Sequence, residues 1–70
     1  MLAEYLASIA DEYEVSFSYN PEFRDLYVKL TKDGAWDCDV IAYERLSDEE
    51  YIIKIIETMI SRLEYLLKGE

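Results

Sequence analysis

Apolar residues recur at three- and four-residue spacing from the start of the chain. Leu2, Tyr5, Leu6, Ile9 and Tyr13 share one side of a helix, and Glu4, Ser8, Asp11 and Glu12 share the other. No proline interrupts the segment, and its end is expected near Tyr13. From Glu14 the period changes to two. Val15, Phe17 and Tyr19 alternate with Ser16 and Ser18, the pattern of a half-buried strand, and Asn20-Pro21 breaks it. A second strand has Leu26, Val28 and Leu30 alternating against Tyr27, Lys29 and Thr31. Lys32-Asp33-Gly34 is a hairpin signal, and a third strand runs through Trp36, Cys38, Val40 and Ala42.

Two registers of this hairpin are possible. A two-residue turn at Asp33-Gly34 pairs Lys32 with Ala35 and sets Leu30 opposite Asp37. That places a core leucine and a carboxylate on one face, which is costly. A three-residue loop with Gly34 left-handed instead pairs Leu30 with Trp36, Val28 with Cys38 and Leu26 with Val40. It also sets Lys29 opposite Asp37 as a cross-strand ion pair. The second register satisfies both faces and is the one expected.

Ser47-Asp48-Glu49-Glu50 has the form of a capping box, with Ser47 at the N-cap and Glu50 three residues in. The three acids suit the positive end of a helix dipole. Ile52, Ile53, Ile55, Ile56, Met59, Ile60, Leu63, Leu66 and Leu67 then cover an arc of roughly 160° at helical spacing. Lys54, Glu57, Ser61, Glu64 and Lys68 lie opposite, and Gly69 stands where the helix should stop.

The order is helix, three-stranded antiparallel meander, helix: an α+β fold (αβββα) in a single domain over residues 1–70. Two layers are expected, with both helices on one face of the sheet against Val15, Phe17, Tyr19, Leu26, Val28, Leu30, Trp36, Cys38, Val40 and Ala42. The open face would then carry Ser16, Ser18, Tyr27, Lys29, Asp37, Asp39, Ile41 and Tyr43.

Seventy residues bury a thin core, worth roughly 3–5 kcal/mol of net stability. The single cysteine, Cys38, forms no internal disulfide, and without histidine there is no zinc-binding cluster, so self-association is the expected supplement. Glu4 interrupts the apolar run Leu2–Ile9 and no basic residue precedes it, so an export signal is not expected and a cytoplasmic location is. Sixteen carboxylates against seven basic residues give a formal charge of −9. Such a field repels nucleic acid and anionic lipid and attracts basic protein surfaces.

Candidate chemistry is sparse. The absence of histidine removes the commonest general base and metal ligand. Two glycines, Gly34 and Gly69, cannot build a phosphate-cradling loop or a dinucleotide fingerprint. Asp33, Asp37, Asp39 and Glu44 superficially suggest a calcium loop, but Asp37 and Asp39 belong to a strand and the ligand spacing is not met. Cys38, expected inward and flanked by two aspartates, is read as a small core hydrophobe. The chain is therefore expected not to be an enzyme and to have no cofactor or metal.

Two features point to binding. Asp37 and Asp39 on a strand, then Glu44, Asp48 and Glu49, spread acid along one stretch. Strand residues two apart sit roughly 6.5–7 Å from each other, about the interval between backbone phosphates, so such a surface could imitate DNA to a basic groove. Tyrosine supplies the second feature, with seven in the chain. Tyr5, Tyr13 and Tyr19 should help build the core. Tyr51 and Tyr65 lie off the main helical arc beside Thr58 and Arg62, and tyrosine and arginine are common interface anchors.

The layout of a Leu2–Tyr13 helix, a hairpin through Lys32-Asp33-Gly34, a Ser47-initiated helix and an acid excess resembles, in type, small acidic bacteriophage proteins directed against host defences. Anti-CRISPR proteins are among them. The resemblance spans the chain but rests on no diagnostic motif. It implies an inhibitor that occupies the nucleic-acid site of a nuclease, acting in the host cytoplasm, and assigns no residue. The expected function is a small acidic interaction protein that binds a basic, nucleic-acid-binding surface of a target, possible contacts being Asp37, Asp39, Glu44, Asp48, Glu49, Tyr51, Arg62 and Tyr65. The alternative is a homo-oligomeric accessory or ligand-sequestering protein with its site between subunits.

Overall fold

The elements form in the expected order in a computed structural model that describes residues 1–69: α1 (Leu2–Ile9), β1 (Glu14–Asn20), β2 (Asp25–Lys32), β3 (Ala35–Ala42) and α2 (Glu49–Lys68). A single 3-10 turn, Tyr43–Arg45, joins β3 to α2. The strands make one antiparallel meander in the order β1-β2-β3. Helix α1 stops at Ile9 rather than near Tyr13. One more helix-like bond, from the Tyr13 N–H to the Ile9 carbonyl at 2.9 Å, carries Tyr13 onto the core side as its spacing implied.

The β1–β2 corner follows from Asn20. Its side-chain oxygen accepts from the Glu22 and Phe23 N–H groups, at 3.0 and 3.4 Å, while Pro21 fixes the first turn residue. Arg24 completes the corner with a positive φ of 55°.

The β2–β3 register is not the expected one. Asp33 and Gly34 have φ of 52° and 81°, the two left-handed residues of a tight turn for which Asp-Gly is a preferred pair. Lys32 therefore pairs with Ala35, Leu30 with Asp37, Val28 with Asp39 and Leu26 with Ile41. Every β3 side chain lies on the face opposite to the one expected. Asp37, Asp39 and Ile41 share the face of Val28 and Leu30, whereas Trp36, Cys38, Val40 and Ala42 lie on the other side. Local turn chemistry set the register, and the burial cost of the carboxylates is met by Arg62, far away in the chain.

The inner face packs on α2. Val28, Leu30 and Ile41 meet Ile52, Ile56, Met59 and Leu63, and with Tyr13 these are the buried core. Helix α2 starts one residue later than expected. Asp48 is the N-cap, its carboxylate accepting from the Tyr51 N–H at 3.1 Å; Ser47 lies outside. Carboxylate and hydroxyl are both good caps, and the turn after the 3-10 segment brings Asp48, not Ser47, to the helix end. Gly69 closes the helix, its N–H donating to the Tyr65 carbonyl at 2.8 Å.

Helix α1 runs alongside α2 in the same direction. The Leu2 N–H reaches Glu49 at the start of α2, and the Tyr13 hydroxyl donates to Glu64 near its end, at 2.6 Å. Glu64 and Arg62 point to opposite flanks at 100° per residue, and Arg62 faces β3, so α1 occupies the flank away from β3. Helix α1 packs chiefly on α2, and β1 is left largely exposed. Phe17 and Tyr19, on the inner face opposite Val28 and Leu26, stay 41% and 46% exposed.

Candidate functional site

Strand β3 and helix α2 bring three of the expected contact residues together. Arg62 Nε donates to Asp37 Oδ2 at 2.7 Å, and its Nη2 donates to Asp39 Oδ2 at 3.3 Å. Because β3 is an edge strand, these inner-face carboxylates sit at the margin of the helix–sheet interface and keep partial access to water. The hydrogen bond to Asp37, opposed by partial burial and assisted by Asp39, holds the guanidinium above its ordinary pKa. The pair is thus occupied within the molecule and does not form the free row expected on the open face.

The remaining expected contacts lie elsewhere. Glu44 is exposed on the 3-10 turn. Asp48 caps α2 and meets Arg45 at 3.5 Å, and Glu49 lies 3.8 Å from the N-terminal ammonium group. Tyr51 is half-buried under the Arg45 guanidinium, 4.3 Å from its ring centroid. Arg62 is about 21 Å along the helix from Asp48 at 1.5 Å per residue, so these are two clusters. Tyr65 projects alone into solvent, 77% exposed.

Positive charge is largely engaged inside the molecule. Arg24, Lys29 and Lys32 lie over the rings of Tyr43, Trp36 and Tyr13, at 4.5, 5.1 and 4.8 Å. Tyr13 is nearly closed off from water. Burial, and then the hydrogen bond to Glu64, pushes its phenol up to about 12. A hollow of about 510 Å³ beside it is lined by Asp11, Glu12, Glu14 and Asp33 as well as Lys32.

The open face of the sheet is the surface that the pattern of polar and apolar residues did not reveal. Its rows are Glu14 with Thr31 and Trp36, Ser16 with Lys29 and Cys38, Ser18 with Tyr27 and Val40, and Asn20 with Asp25 and Ala42. Trp36, Tyr27 and Val40 are 57%, 49% and 42% exposed, and Cys38 is exposed beside Lys29. Tyr27, Lys29, Trp36 and Cys38 border a shallow groove of about 250 Å³ together with Ser16 and Ser18. Taking Asp33-Gly34 as a two-residue turn would have found this face from sequence.

Fold and surface together define a small acidic α+β protein with one covered and one aromatic, uncovered sheet face. No protein family, curated protein or solved structure matches the chain. Among the described residues, no helix is long and apolar enough to cross a membrane, and no group of three or more acidic or cysteine side chains could hold a metal ion.

Proposed function

We propose that this protein acts by contact rather than catalysis, docking a basic protein surface through the open face of its sheet. The observation that carries this reading is the uncovered Trp36, Tyr27 and Val40 surface in a chain of net charge −9. Interfaces place aromatic anchors in a desolvated centre and charged residues at a polar rim. Here Glu14 and Asp25 lie on the two end rows of this face, with Asp33 and Glu22 in the adjoining turns and Glu44 just past β3, so acid lies at both ends of the aromatic centre. A basic partner matches that rim and is steered to it by the overall field.

A nucleic-acid-binding protein such as a nuclease is the partner class this favours, in keeping with the resemblance to small phage inhibitors. The contact differs from imitation of a phosphate row. Asp37 and Asp39 are held by Arg62, so aromatic burial supplies affinity and the rim acids supply attraction.

Comparative capture tests it, with wild type and Trp36→Ala as baits for one lysate. A protein retained by wild type and lost by the variant should carry a basic surface. Its affinity should fall with salt, through a slower on-rate, and fall severalfold or more with Trp36→Ala at every salt concentration. Equal capture by both baits, or an acidic partner, would reject the reading.

A further inference from the structure

The sheet has two edges, and they differ in how they are defended. Edge strands are ordinarily blunted by charge, proline, a bulge or a covering element, because their free N–H and C=O groups recruit other strands. On β3, Asp37 and Asp39 line the inner face, and the Asp39 carboxylate accepts from the Val40 N–H at 2.8 Å, occupying a backbone donor of that strand. Strand β1 has none of these devices. It contains no lysine or proline, its pairing with β2 runs unbroken from Glu14 to Asn20, and its one charge is at its end. Among the described residues nothing pairs with its outer edge.

We infer that the outer edge of β1 binds a second copy of this chain, β1 to β1 and antiparallel, in a register centred on Phe17. The strand is self-complementary in that register. Phe17 faces Phe17 of the partner, Val15 faces Tyr19, Ser16 faces Ser18 and Glu14 faces Asn20, so all seven residues pair and like side chains share faces. Shifts by one residue put Phe17 against serine, and shifts by two leave residues unpaired. Charge selects this edge as well. Two chains of charge −9 repel, yet no carboxylate meets another across the β1 junction. In its two longest face-matched registers, antiparallel self-pairing of β3 sets Asp37 opposite Asp39, or Asp39 opposite itself.

The same junction explains why Phe17 and Tyr19 are apolar yet uncovered. They lie on the inner face and stay largely uncovered, and there the partner's Phe17 and Val15 supply the missing neighbours. The product is a continuous six-stranded sheet with twofold symmetry. Its helices share one face, and its two aromatic open faces lie side by side, leaving partner docking unobstructed.

Sedimentation at micromolar concentration should give twice 8.3 kDa. F17D and F17K should each sediment as monomers, because like charges then meet at the twofold axis, and an equimolar mixture should regain the dimer mass. A F17C/C38S double variant, in which cysteine keeps the site small and apolar, should form a covalent dimer on mild oxidation. A wild type that stays at 8.3 kDa overturns the inference. So does a wild-type dimer from which F17C/C38S gives no cross-link, or whose mass persists in both F17D and F17K. Loss of dimer in both charge variants without recovery on mixing rejects the Phe17-centred register. F17D and F17K leave the open face unchanged, so capture of a partner by these two variants reads that face separately.

Discussion

The two faces of the sheet invert the usual division of labour. The covered face carries two carboxylates among its aliphatic residues, and the uncovered face carries the chain's only tryptophan. Burial in such a small protein is decided by geometry before polarity. The two-residue turn sets which side chains of β3 point toward α2, and the helix then supplies Arg62 to neutralise what arrived there. Polarity alone is a poor guide to the face of an edge strand, because edge positions are half in water on either side.

The largest expected effect is on the covered face. Leu30 is fully buried, and Leu30→Ala should cost about 2–5 kcal/mol, enough to leave little folded protein. Trp36→Ala should cost far less, about 1 kcal/mol, since the ring is more than half exposed and gives up only partial contact and its place beside Lys29. Urea denaturation of both variants checks the contrast. Similar losses would mean that the open face is structural.

Alkali probes the covered side from another direction. The Tyr13 phenol titrates near 12 in the folded protein against 10.0 in the unfolded chain. Its contribution is intact below pH 10, falls as the unfolded state alone loses the proton, and is gone above about pH 12. Thermal midpoints should drop across that window, and Tyr13→Phe should flatten this part of the profile. An unchanged profile in the variant would place the alkaline transition elsewhere.

Among the changes on the covered side, Arg62→Ala should have the smallest effect, about 1 kcal/mol, because the cluster keeps partial access to water and solvent screens it. Combining it with Asp37→Asn should cost less than the sum of the single changes, since the neutral amide no longer needs the guanidinium. Strict additivity in a double-mutant cycle would show that the contact contributes packing only.

The elements were legible because each has a local signature: the three-four spacing of α1, the alternation of Val15 to Tyr19, the acids before Tyr51. The register was not legible from apolar pattern. The residue that makes Asp37 tolerable on the inner face is Arg62, and its place beside β3 depends on how α2 packs. The site residues divide the same way. Arg62, Asp37 and Asp39 do come together, but as an internal clasp, while Asp48 and Tyr51 meet Arg45 at the other end of α2 and Glu44 stands on the adjoining 3-10 turn. The exposure of Phe17 and Tyr19 follows from α1 packing chiefly on α2, which the apolar spacing of the first segment does not show.

Hairpin turns are ordinarily where chains gain and lose residues at least cost, being exposed and free of packing. The Asp33-Gly34 turn is exposed and Gly34 has open space around it, yet its length is not free to drift. One inserted residue would turn β3 over, sending Trp36 and Val40 under α2 and carrying Asp37 and Asp39 away from Arg62. Substitutions can accumulate along this chain one by one, but a change of length at this turn would exchange two surfaces in a single step.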